Sequence, residues 1–252
     1  MYRNTKNIIK ACEKSSINLR RDVSEIVHLQ TSRNLKNFLT SSQNRFERNI
    51  SSELNFAEPS NIIIYEKDGS FKDISDVSYK TNEKRVAKVD YIVVGIDNMI
   101  NLSHGIEHIG FSIASEESAA ICVPAMHSIV YAETEGEAFL LGADGLPKRL
   151  RMSQSLNISL PSILCATDNS KHRAEELLGK RELHFVSSGS ILCDALRVVE
   201  NKIDVAFHSV PESPEYITAI TEIVNAAGGA DGFVDGLYVF GKKSIVKPML
   251  SL

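Results

Sequence analysis

The stretch Val89-Asp90-Tyr91-Ile92-Val93-Val94-Gly95-Ile96-Asp97-Asn98-Met99 constrains this chain most. Its first half is a largely apolar, β-branched run that reads as a buried strand. Its second half, Gly95 to Met99, breaks that pattern and places a single carboxylate, Asp97, where the strand ends. Asp90 lies four residues before Val94, roughly 13 Å along a strand, and so belongs at the other end.

Ile8, Ile9, Cys12, Leu19, Val23, Ile26 and Val27 recur at helical spacing, which predicts one or two amphipathic helices over 4–30. Thr31-Ser32-Arg33-Asn34 reads as a polar break and Phe38-Leu39-Thr40 as a short apolar piece. A helix is expected over 41–54, with Phe46, Ile50 and Leu54 on one face. Ile62 to Tyr65 reads as a strand ending in the turn Glu66-Lys67-Asp68-Gly69, and 70–87 as a polar, mobile loop. Strand-like runs at 109–114, 119–123, 127–133 and 137–141 predict an antiparallel sheet with hairpins, Glu116-Glu117 marking one turn.

In the second half, strands are expected at 162–166, 183–186, 205–207, 233–234 and 237–240. Helices are expected at 170–179, at 191–200 behind Ser187-Ser188-Gly189-Ser190, and at 214–226 before Gly228-Gly229. Interleaved helices and strands in both halves give an α/β (α+β) fold class. The expected organisation is one domain over 1–252 with lobes of about 1–155 and 156–252.

Composition narrows the function classes. A net charge of −4 over 252 residues supplies no general basic excess for nucleic acid or membrane surfaces. No apolar run approaches a membrane span, and Met1 to Lys6 shows no signal peptide, so a cytoplasmic protein is expected. The four cysteines (Cys12, Cys122, Cys165, Cys193) form no C-x-x-C pair and fit reduced, mostly buried thiols. His104 and His108 have the i, i+4 spacing that on a helix could bind zinc; on a loop and a strand the pair would have a surface or packing role.

Several segments, in order, resemble the inositol monophosphatase family, including its bacterial extragenic-suppressor branch. Asp97-Asn98-Met99-Ile100-Asn101-Leu102-Ser103-His104 resembles the family's Asp-Gly-Thr-x-Asn-Phe-x-His segment. Val130-Tyr131-Ala132 and Glu135 to Leu140 resemble its Tyr-x-Ala…Gly-x-Gly-Ala-Phe hairpin, and Gly189 to Asp194 its Gly-Ser-Ala-Ala-Leu-Asp helix start. Ile223 to Gly229 is similar to its Ile-Val-x-Glu-Ala-Gly-Gly helix end. The resemblance spans about residues 36–240 and implies an αβαβα layered sandwich, usually a homodimer, with Mg²⁺-dependent phosphomonoesterase chemistry.

That chemistry needs several carboxylates converging on hard cations. The resemblance assigns metal-ligand positions to Glu66, the Ile96 carbonyl, Asp97 and Glu215. Glu66 reads equally as a solvated turn residue, and Glu215 as a helix N-terminal charge. The resemblance places Asn98, Gly189, Ser190 and His208 on the substrate side, with the N–H groups of Gly189-Ser190 holding a phosphate or simply capping a helix.

Three departures from the family pattern follow. Val94 stands where the family has a metal-bridging Asp, Met99 replaces the water-orienting Thr, and Gln43 lies where a further Asp is expected. The reading favoured is a protein with an eroded Mg²⁺ site, little or no phosphatase activity and a binding or suppressor-type regulatory role. By analogy, it would act through a protein partner such as the transcription machinery. The alternatives are an active phosphatase on inositol monophosphate or a related sugar or nucleotide phosphate, and a sensor of a phosphorylated small molecule at Gly189-Ser190. No membrane role is expected.

Overall fold

The computed structural model describes residues 2–29, 32–57, 59–75, 89–154, 162–166, 168–179 and 183–251. Two long helices open the chain, α1 (Arg3–Ile26) and α2 (Ser32–Ala57). In α1, Ile8, Cys12, Leu19, Val23 and Ile26 form the buried stripe that their spacing predicts.

An eight-stranded sheet follows. Its strands are β1 (Ser60–Tyr65), β2 (Phe71–Asp73), β3 (Val89–Val94), β4 (Phe111–Ala114), β5 (Ser118–Val123), β6 (Ser128–Glu133), β7 (Ala138–Leu141) and β8 (Pro147–Leu150), in the order β2-β1-β3-β4-β5-β6-β7-β8. The second sheet has five strands, β9 (Ser162–Ala166), β10 (Leu183–Val186), β11 (Val205–Ser209), β12 (Ala230–Val234) and β13 (Leu237–Gly241), in the order β10-β9-β11-β13-β12. The remaining helices are α3 (Met99–Ser103), α4 (Asp168–Leu178), α5 (Ile191–Val199), α6 (Thr218–Ala226) and α7 (Lys243–Met249).

Three cores define five layers. The first lies between α1/α2 and one face of the large sheet, and holds Phe46, Ile50, Leu54, Tyr91, Val93 and Phe111. The second lies between the two sheets and encloses α5 and α6, with Val94, Ile121, Val130, Leu192, Leu196 and Phe240. The third lies beneath α4 and α7 and includes Phe207, Val239 and Val246. The result is the αβαβα sandwich. Strand β3 shows why its C-terminal half is apolar at consecutive positions: Tyr91 and Val93 enter the first core, while Val94 enters the second; Asp90, near the strand's start, is exposed.

Several expectations are corrected. Helix α2 begins at Ser32, so the polar break and the apolar piece at 38–40 are both helical; Thr31 lies outside the described residues. Leu35, Phe38 and Leu39 extend the apolar face of Phe46, and no Gly or Pro interrupts it. Part of the expected 70–87 loop is β2, paired antiparallel to β1; residues 76–88 lie outside the described residues. The first sheet is not wholly antiparallel, since β1 and β3 run parallel from Ser60–Val89 to Tyr65–Val94. Strand β8 and helices α3 and α7 were not anticipated. The expected helix over 214–226 is a 3₁₀ turn, Pro214–Ile217, followed by α6. Cys12, Cys122 and Cys193 are free, buried thiols.

Candidate functional site

The parallel pair β1 and β3 brings Glu66 and the Gly95–Met99 turn to the same end of the sheet. Asp97 is fixed there first by the backbone. Its N–H donates to the Gly110 carbonyl at 2.9 Å, and Gly110 N–H donates back to Asp97 Oδ1 at 2.8 Å. The rest of the carboxylate is taken by the first turn of α5. Ser190 Oγ lies 2.9 and 2.7 Å from the two oxygens, and Leu192 N–H donates to Oδ2 at 3.0 Å. Ser190 is also the N-cap of α5, accepting from Cys193 N–H at 3.0 Å.

Asp97 therefore sits as the anion at a helix N-terminus, where the dipole and unpaired N–H groups favour negative charge. It is only 5% exposed. Burial pushes its carboxyl up to about 7, although the hydrogen bonds from Ser190, Leu192 and Gly110 pull the other way; nearby Asp194 adds a smaller upward push.

Two asparagines join the same turn to the α5 approach. Asn98 has φ 102° and caps α3, accepting from Asn101 N–H at 3.0 Å while its Nδ2 donates to the Gly189 carbonyl at 2.8 Å. Asn tolerates this left-handed backbone better than most residues. Asn101 Nδ2 donates to the carbonyls of His108 at 2.7 Å and Ser188 at 3.0 Å. Gly189 is itself left-handed, at φ +76°, and a Cβ there would lie 2.8 Å from Asn98 Nδ2.

A cavity of about 330 Å³ opens beside this junction, and Glu66, Ile96, Asp97, Asn98, Met99 and Gly189 all line it. His208 of β11 lines the same cavity, so the structure brings together seven of the expected site residues. A second space of about 180 Å³ shares Glu66, Ile96 and Met99 and reaches Gln43 and Glu47.

Two expected residues stand elsewhere. Ser190 is buried behind Asp97, and its own N–H donates to Ser188 Oγ at 3.1 Å, so that amide is not offered to a phosphate. Glu215 accepts from Ser213 Oγ within the 3₁₀ turn and does not line the cavity. Its neighbour Tyr216 does.

Glu66 is half-buried, and burial, then Asp68 and Glu47, raise its carboxyl above the ordinary range. Its Oε1 would meet a Cβ on residue 95 at 3.0 Å, so Gly95 is what lets the carboxylate fold over the end of β3. His208 Nε2 lies 3.1 Å from Asp194 Oδ2, and its ring stacks on Phe240 at 5.9 Å. Asp194 is fully buried, accepts from Ser188 Oγ at 2.6 Å and lies 3.8 Å from Arg197.

Sequence reasoning missed Tyr216 and Asp194. The available signal for Asp194 was an acidic residue among the apolar positions of α5, between Cys193 and Ala195. His104 and His108 do not face a common site: His104 Nδ1 lies 2.9 Å from the Ile100 carbonyl, while His108 Nε2 meets Arg197 at 3.1 Å. Asp90 stands at the far end of β3, accepting from Asn61 at 2.6 Å.

A cluster of Mg²⁺ ions does not fit these donors. Val94 offers no lone pair and is 2% exposed in the core between the sheets. Gln43 is neutral, Glu215 is turned aside, and the oxygens of Asp97 already accept four contacts from protein donors. Among the described residues, no three His, Cys, Asp or Glu side chains group as a metal site would require.

Comparison with solved structures places this architecture. The extragenic suppressor protein suhB from Bartonella henselae superposes with a TM-score of 0.72 at 19% identity, over 99% of this chain and 97% of that one. Inositol monophosphatase II from Staphylococcus aureus gives 0.71 at 12% identity, over 98% and 91%. CysQ from Bacteroides thetaiotaomicron, described as a bacterial member of the inositol monophosphatase family, gives 0.67 at 17%, over 96% and 98%. No family model matches the sequence, and no curated protein matches it. At these identities the likeness establishes the fold: the chain is built as an inositol monophosphatase-type sandwich.

Proposed function

We propose that this chain, on an inositol monophosphatase-type fold, is a small-molecule-binding protein with an eroded Mg²⁺ centre and weak or no phosphatase activity. The observation that carries the reading is the use of Asp97. The carboxylate that the motif would give to a metal is spent on Ser190, Leu192 and Gly110. The cavity keeps its walls and loses the converging negative oxygens that hydrolysis of a phosphomonoester needs. A regulatory, suppressor-type role in the cytoplasm, through a protein partner such as the transcription machinery and as a homodimer, belongs to the same proposal and rests on the resemblance alone.

One observation favours an active enzyme: Glu66, Ile96 and Asp97 do meet at one cavity. In that case Glu66 and the Ile96 carbonyl would hold a single Mg²⁺, which would supply Lewis-acid activation when bound. Purified protein assayed on inositol 1-phosphate and an aryl phosphate, with Mg²⁺ or Mn²⁺, separates the two. No turnover above the metal-and-buffer rate is expected. Metal-dependent turnover that disappears in Asp97→Asn would establish the enzyme instead.

A further inference from the structure

A carboxylate inside a partly apolar cavity has to be neutralised or solvated. Glu66 lines both cavities, and among the described residues its carboxylate has no hydrogen bond and no ion pair to a protein cation. Its surroundings are acidic. Glu47 stands across the smaller cavity, and Asp68 and Glu212 lie beside the same β1 turn, Glu212 packing against Gly69. Lys72 is already held by Glu47. Lys67, at the mouth, is exposed and solvated.

The rest of the lining joins the apolar and aromatic Met99, Ile100, Ile191, Pro211 and Tyr216 to the polar Asp97, Asn98 and Ser209, Asp97 being already held by α5. At the far side stands His208, 5% exposed, its Nε2 buried 3.1 Å from Asp194 Oδ2. A negative head group beside an aromatic and aliphatic lining describes a site of ligand size.

The donor count decides which cation suits it. Mg²⁺ exchanges its hydration only for several hard oxygens in octahedral array, which one free carboxylate does not provide. An organic ammonium ion needs only one carboxylate and gains further from an aromatic face and an apolar wall.

We infer that the cavity between the β1 turn, α3 and β11 binds a small organic amine, its ammonium on Glu66 and its apolar body against Met99 and Tyr216. The inference rests on the non-catalytic reading of the site and names the ligand class for it. No covalent step is involved.

The test is calorimetric titration of the full chain with three probes of like shape: 2-phenylethylamine, 2-phenylethanol and 3-phenylpropionate. The amine is expected to bind at least about tenfold more tightly than the alcohol, and the acid not to bind. Glu66→Gln, checked for folding by circular dichroism, should remove that preference, and Glu66→Asp should keep part of it. Tyr216→Leu should weaken the amine several-fold while leaving the alcohol less affected. Equal affinity for amine and alcohol, tighter binding of the acid, or an amine preference unchanged in Glu66→Gln would each overturn the inference. Titrations with Mg²⁺ alone and inorganic phosphate alone, and aryl phosphate turnover on the same samples, bear on the non-catalytic reading separately. Turnover would sink that reading, while the amine series decides the ligand class.

Discussion

Replacing Asp97 with Asn removes a charge and half of the carboxylate's accepting capacity without changing its size. Gly110 N–H and Leu192 N–H approach opposite oxygens, at 2.8 and 3.0 Å. An amide has one oxygen, so one of these buried N–H groups must face an NH₂ and goes unsatisfied, at about 1–3 kcal/mol. A second, pH-dependent effect opposes this one. Burial pushes the Asp97 carboxyl up to about 7 from the ordinary 3.8. A carboxyl with a higher value folded than unfolded holds its proton more tightly in the folded protein. Its contribution to stability is therefore complete at low pH and is lost as pH rises toward 7. At about 1.4 kcal/mol per pH unit, the wild type loses about 3 kcal/mol between pH 5 and pH 8 on this account. Asp97→Asn has no such loss. The variant should be the less stable protein at the acid end and draw level with or overtake the wild type by pH 8. Urea unfolding at several pH values in EDTA measures both curves. Parallel curves for the two proteins would refute the burial of Asp97 at the α5 start.

Two further substitutions probe the same junction. Val94→Asp, which restores the carboxylate of the resembled motif, should not restore a metal centre; it should destabilise the fold by at least about 3 kcal/mol, because position 94 lies in the core between the sheets, as urea unfolding would show. Gly189→Ala meets both a left-handed backbone and Asn98 Nδ2 at 2.8 Å, and should cost about 1–2 kcal/mol, read as a lowered thermal midpoint.

Much of the fold was legible because burial on two faces leaves a plain trace. The β3, β5 and β6 runs are apolar at consecutive positions, the stripe of α1 keeps helical spacing, and α5 is apolar almost all round. What escaped was set by context. Ser32-Arg33-Asn34 reads as a break until Leu35 and Phe38 find the first core. Phe71 to Asp73 is wholly exposed and becomes a strand only by pairing with β1. In α7, Pro248 sits inside the helix and argued against it.

The site divides the same way. The resemblance assigned residues 66, 96–99, 189 and 208 to one site, and the structure brings them to one cavity. The resemblance did not reveal where the side chains turn. Asp97 goes to α5 because the Ser190 hydroxyl and Leu192 N–H lie within 3.0 Å, a fact of the packing between two sheets and not of the motif. Glu215 is drawn to Ser213 two residues away, which leaves Tyr216 at the cavity.

The central claim is that Asp97 belongs to the helix and not to a metal. Crystals soaked in Mn²⁺ and phosphate, with anomalous data collected at the Mn edge, test it directly. The account predicts no Mn peak within ligand distance of Asp97, whose oxygens stay on Ser190, Leu192 and Gly110. A Mn peak coordinated by Asp97 together with Glu66 would contradict it.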